Sequence, residues 1–137
     1  MKLHRLEFEK LINYDAGLNG IPLNVELRLG SNSTAFEAKI DTGSSFCVFE
    51  RARGEELGLE IERGFLRRIS TVVGSFSAHG HGITIIVGDF EFDSLVFFAA
   101  DESFRVNVLG RNGWLNRLII GINDYDGKLY LSHYESE

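Results

Sequence analysis

Ile40-Asp41-Thr42-Gly43-Ser44-Ser45 sets one carboxylate on a glycine-containing turn at the end of an apolar run. The run before it, Thr34-Ala35-Phe36-Glu37-Ala38-Lys39-Ile40, alternates as a half-buried strand does. Leu23-Asn24-Val25-Glu26-Leu27-Arg28-Leu29 alternates strictly as well, and Gly30-Ser31-Asn32-Ser33 between the two runs reads as a turn. A β-hairpin therefore delivers the chain directly to Asp41. Gly43 lets the backbone turn sharply, and Thr42 and Ser44 offer hydroxyls to backbone groups or to the carboxylate.

Beyond the turn, Phe46-Cys47-Val48-Phe49 reads as a short buried strand, and residues 50–57 as one or two helical turns ended by Gly58. Strands are predicted over 69–73, 82–87 and 90–98, with Gly88-Asp89 as a tight hairpin turn between the last two. Val106-Asn107-Val108-Leu109 is another short strand, and residues 112–118 are the best helix candidate, with Asn112 as a possible N-cap. Residues 118–122 and 129–134 form a final hairpin. Upstream, residues 3–12 do not decide between strand and helix, and Asn19-Gly20 with Ile21-Pro22 marks a turn. Many short strands with few helices predict an all-β, closed-barrel domain with one short C-terminal helix. With 137 residues and no repeat or linker, the chain is read as one domain, 1–137, with its core over about 20–134.

The apolar fraction of 44% and charged fraction of 25% are those of an ordinary globular protein. A net charge of −6 argues against a nucleic-acid surface. Arg51, Arg53, Arg63, Arg67 and Arg68 interleave with Glu50, Glu55, Glu56, Glu60 and Glu62, which reads as a solvated mixed-charge face rather than a basic patch. Cys47 is the only cysteine, so there is no intrachain disulfide and no thiolate cluster; its apolar strand marks it as buried filler. His79 and His81 fall on one strand face, but a zinc site needs three or four ligands and no partner is evident, so no metal and no cofactor are expected. The first residues lack the apolar core of a signal peptide and no stretch suits a bilayer, so the expected location is cytoplasmic, without a membrane partner. Trp114, Leu115 and Leu118 have the spacing of core packing.

Two aspartates brought face to face cannot both ionise comfortably, so they share one proton and titrate as a unit. The ionised member activates a water and the protonated member donates to a carbonyl. Asp41 sits on the one turn of this kind. Asp126-Gly127 and Asp15-Ala16-Gly17 lack a hydroxyl residue between Asp and Gly and fit ordinary turns. If the chemistry is that of a pair, a second chain must bring the other carboxylate.

A second motif lies downstream: Asn107-Val108-Leu109-Gly110-Arg111-Asn112, whose apolar pair is followed by a glycine that can pack a strand tightly beneath the Asp41 turn. Asp-Thr-Gly-Ser followed, in that order, by apolar-apolar-Gly-Arg-Asn resembles the retropepsin-like aspartic peptidases over roughly residues 20–134. The resemblance implies that Asp41 is catalytic, once per subunit of a homodimer, and that Thr42 ties the two motif loops together across the dimer. It makes Gly43 similar to the glycine whose carbonyl meets substrate backbone, with Ser44 supporting the loop. Arg111 matches the family arginine whose acidic partner follows the Asp-Thr-Gly motif; the matching position here is Ser45. Residues 64–82 should include the flap, with Gly74-Ser75-Phe76 as the preferred tip and Ala78-His79-Gly80-His81-Gly82 as its competitor. The implied function is homodimeric endopeptidase action on peptide or protein substrates. The alternative is an inactive dimeric peptide-binding or scaffold module on the same fold.

Overall fold

A computed structural model of the chain describes residues 1–71 and 74–134. Its described strands are β1 (Lys10–Asn13), β2 (Pro22–Leu29), β3 (Asn32–Ile40), β4 (Val48–Phe49), β5 (Phe65–Thr71), β6 (Gly74–Val87), β7 (Phe90–Ala99), β8 (Val108–Leu109), β9 (Ile119–Asn123) and β10 (Lys128–Ser132). A six-residue helix, α1 (Arg51–Glu56), follows β4. Val72 and Val73, the end of a predicted strand, lie outside the described residues.

The β2–β3 hairpin forms as its alternation predicts, with Leu29 opposite Asn32 across a two-residue turn. Gly30, at φ +59°, supplies the left-handed conformation that such turns need. Leu23, Val25 and Leu27 on β2 are buried, whereas Asn24 and Arg28 are exposed and Glu26 partly so. The second hairpin, β6–β7, turns at Gly88-Asp89 with Val87 opposite Phe90.

Strands pair in the order β2-β3-β8-β4-β7-β6-β5, and an additional β2–β6 pairing brings the run back on itself, leaving β5 outside the ring. Glu26 to Arg28 face Ile86 to Thr84 across that seam. Inside lies the main core, which includes Val25, Leu27, Phe49, Ile85, Phe98, Leu109 and Trp114. A three-stranded sheet, β1-β10-β9, closes one side by adding Leu129 and Leu131 to the same core. The fold is all-β, and no described helix is long and apolar enough to cross a membrane.

Two segments depart from expectation. Residues 112–118 do not form an α-helix: only Leu115–Arg117 turn, as a single 3-10 turn. Asn112 is held in a bridge to Phe46 instead of capping, and Gly113 takes φ +107°, which no helix propagates through. The Gly113 N–H is met by the Asn116 side chain at 3.1 Å. The strand predicted over 82–87 starts earlier, since β6 runs unbroken from Gly74 to Val87. Its Ala78 to Gly80 segment is buried and paired on both sides, by β5 and by β7, so Ala78-His79-Gly80-His81-Gly82 is the base of a hairpin and not its tip.

Candidate active site

Asp41 follows directly from the last residue of β3, and its loop is fixed from below. The Asp41 N–H donates to the Leu109 carbonyl at 3.0 Å, continuing the parallel pairing of Lys39 with Val108 and Ile40 with Leu109. β8 therefore sits between β3 and β4, with Val108 also opposite Val48. Asn107 ties this arrangement to the start of α1: its Oδ1 accepts the Glu50 N–H at 3.0 Å and its Nδ2 donates to the Glu50 carboxylate at 2.6 Å. Asn107 opens the downstream motif, and its polarity in an otherwise apolar strand is the signal for this side-chain tie.

Within the loop, Asp41 Oδ1 accepts the Gly43 N–H at 2.9 Å, and the Asp41 carbonyl accepts the Ser44 N–H at 3.1 Å. Gly43 is not in a left-handed conformation; a Cβ there would stand 3.2 Å from Asp41 Oδ1, crowding the carboxylate. The Ser44 hydroxyl donates to the Phe46 carbonyl at 2.7 Å, bracing the loop instead of touching the acid. From the far side, Arg111 N–H donates to the Ser44 carbonyl at 2.9 Å and Asn112 grips the Ser45 carbonyl through both its backbone N–H and its Nδ2. Gly110 allows this approach, because any Cβ would collide with the Phe46 carbonyl. The downstream motif thus lies under the Asp41 turn, as its glycine predicts.

Asp41, Thr42, Gly43 and Ser45 are exposed. Among the described residues the Thr42 hydroxyl has no hydrogen-bond partner, and the Arg111 side chain has no acidic one. Cys47 lies just behind the loop, fully buried, its Sγ 3.9 Å from the Gly110 carbonyl. Burial pushes its thiol up to about 11, which leaves it protonated and inert.

The Asp41 loop opens into a cavity of about 750 Å³. β5, including both Arg67 and Arg68, and Phe76 make one wall, and Phe104 and Val106 another. Phe76 stacks on Phe104 at 4.1 Å between centroids, and a small apolar cluster of Val48, Ala78 and Phe97 lies beneath. Asp41 is the only carboxylate among the described residues that line this cavity. Gly74 and Ser75 lie at the end of the β5–β6 hairpin, in register with Thr71 and Ser70. Phe46, Arg67, Ile69, Phe104 and Val106 were not singled out as site residues from the sequence, since only the folded sheet brings them to the loop.

Other candidates lie apart from the cavity. His81 Nε2 is 2.9 Å from the Ile61 carbonyl, and His79 Nδ1 is 3.5 Å from that of Gly64. No group of three metal-ligating side chains occurs among the described residues. A second recess, about 560 Å³, lies between the β2–β3 turn and the β6–β7 hairpin. It contains none of the predicted site residues, and its polar side chains have partners: Arg28 pairs with Glu91, Thr84 with Asp93, and Ser94 with the Gly113 carbonyl.

No curated protein matches the chain. Among solved structures it is similar to the EIAV protease complexed with the inhibitor HBY-793, at a TM-score of 0.53 and 21% identity. That match covers 68% of this chain and 83% of the other, and it shows a shared retropepsin-like fold. A model of the aspartyl protease family matches residues 25–121, a span that includes both the Asp41 turn and the motif beneath it. The chain is therefore a member of the aspartyl protease family.

Proposed function

We propose that this protein is a homodimeric aspartic endopeptidase whose two Asp41 carboxylates, one per subunit, activate a water between them. The observation that carries the reading is Asp41 itself: a fixed, exposed acid, the one carboxylate among the described residues that line a peptide-sized cavity. An isologous interface brings identical loops together on a two-fold axis, where the two acids share a proton. The ionised carboxylate takes a proton from water as its oxygen attacks the scissile carbonyl carbon, while the protonated one donates to the carbonyl oxygen. Collapse of the tetrahedral intermediate breaks the C–N bond, and the nitrogen leaves with a proton returned from the pair. The exposed Thr42 hydroxyl is suited to a partner's loop. The β5–β6 hairpin, with Gly74, Ser75 and Phe76 towards its end, is suited to close over an extended peptide and exclude water.

The test is Asp41→Asn, which keeps the Oδ1 acceptor for the Gly43 N–H but cannot hold or pass the proton. Cleavage of a peptide library should fall by about 10³-fold with an unchanged circular dichroism spectrum. Full proteolysis by the variant would overturn the mechanism. Arg111, whose side chain has no acidic partner among the described residues, favours a second reading, an inactive dimeric peptide-binding module. Dimerisation and peptide binding by the wild-type protein, with no cleavage between acidic and neutral pH, would establish it instead.

A further inference from the structure

Taking the cavity as the peptide cleft, we propose that Arg67 makes it select peptides with an aspartate or glutamate side chain near the scissile bond. The chain carries a net charge of −6, and several of its arginines outside the cavity are paired with acids. Arg28, Arg51, Arg53 and Arg63 each have a carboxylate oxygen within salt-bridge reach. The interleaved arginines and glutamates of residues 50–63 are thus a neutralised face. Arg67, a few residues on, has no acidic partner among the described residues and lines the cavity.

Its orientation follows from strand register. Arg67 lies opposite Ala78 and Ile69 opposite Phe76, and Ile69, Phe76 and Ala78 all belong to the apolar cluster under the cavity. Residues two apart share a face, so Arg67 belongs to the cleft side. There its guanidinium carbon rests 4.4 Å above the centre of the Phe46 ring, which is itself held edge-on by Phe97 at 5.0 Å. An aromatic platform fixes the plane of the guanidinium while leaving its N–H groups for a ligand. The planar fork matches a carboxylate and can bind it through two parallel hydrogen bonds. In the dimer, a proton shared by the two Asp41 leaves a single negative charge against a guanidinium from each subunit. Arg68 has the same charge but the opposite strand parity, and its Nε donates to the Ser75 hydroxyl at 3.1 Å.

Binding is measured on the Asp41→Asn protein, which holds peptides without cutting them. The probe is a fluorescein-labelled peptide library in which Asp and Glu are exchanged for Asn and Gln one position at a time, at about pH 6 where carboxylates are ionised. At one position the acidic peptide should bind about tenfold tighter than its amide, and the ratio should shrink as salt rises. Adding Arg67→Gln should bring the ratio to about one, Arg67→Lys should restore part of it, and Arg68→Gln should change it less than Arg67→Gln does. Equal binding of acid and amide, or a ratio that survives Arg67→Gln, would overturn the inference. Cleavage by the wild-type protein is scored on the same library. Turnover without acid preference sinks the selectivity alone; acid-selective binding without turnover sinks the peptidase reading alone. Absence of both binding and cleavage sinks the two together.

Discussion

Gly110 sets how closely the β8 segment can approach the Asp41 turn, and the contact at stake is backbone. A methyl group there would overlap the Phe46 carbonyl, whose oxygen already accepts the Ser44 hydroxyl and cannot move without loosening the loop. Gly110→Ala should therefore cost about 3 kcal/mol in urea unfolding, the upper end for an overpacked site. Gly82→Ala is the matched control: nothing lies within 4 Å of its Cβ position and its φ is ordinary, so stability should hold or rise slightly. This contact was legible, because a glycine after two apolar residues has few other reasons to be there. The local geometry of the acid was less informative. Asp15 Oδ1 accepts the Gly17 N–H at 2.8 Å and Asp101 Oδ1 the Ser103 N–H at 2.8 Å, the same turn that Asp41 makes with Gly43. What separates Asp41 is the cavity in front and β8 beneath, and neither is a property of three residues.

Among the strands, β1 and β10 illustrate a join that no periodicity announces. Glu9 N–H donates to the Leu131 carbonyl at 3.1 Å, and Glu9 Oε1 accepts the Ser132 hydroxyl at 2.9 Å and the His133 N–H at 2.8 Å. Those donors favour the ionised form, led by the His133 N–H, and hold the Glu9 carboxyl below its ordinary 4.5. A depressed folded-state value gives stability that is present above the unfolded value and is lost as pH falls through the folded one. Glu9→Gln should thus melt earlier than wild type at neutral pH, and the gap should shrink as pH falls below 4.5, read from melting temperature against pH. A constant gap across that range would assign the effect to packing rather than charge. The hairpins β2–β3 and β6–β7 were readable because each buries one face, so alternation and turn glycines agree. The first half of β6 was not, because its small and polar residues imitate a loop. They are small for space: a Cβ on Gly80 would sit 3.0 Å from the Phe97 ring across the β6–β7 pair. Likewise the predicted helix at 112–118 was lost to the bridge between Phe46 and Asn112, a contact between segments far apart in sequence.

For the molecule as a whole, the proposed pairing of one Asp41 from each chain would make activity a property of an assembly, and the fold limits how such an assembly could form. β10 is the centre strand of its sheet, with β1 on one side and β9 on the other, so both of its hydrogen-bonding edges are used within the chain. Of the terminal segments, the β1 and β9 edges and the exposed residues 1–7 remain for a partner; Leu11 and Ile122 on those edge strands are 42% and 45% exposed. A shared site has a consequence that a self-sufficient one lacks. If wild-type chains at fixed concentration are mixed with about a ninefold excess of Asp41→Asn chains and allowed to exchange, random pairing leaves about one tenth of wild-type chains with a wild-type partner. Mixed pairs carry one carboxylate and cannot pass the shared proton, so cleavage should fall to about one tenth. Adding the same excess of an unrelated protein should leave the rate unchanged. The wild-type protein alone should lose specific activity on dilution through its dimer dissociation constant, along the curve that sedimentation gives for the dimer fraction. A rate indifferent to both the variant and dilution would mean that each chain completes its own site, and the second acid would then have to be sought within the same 137 residues.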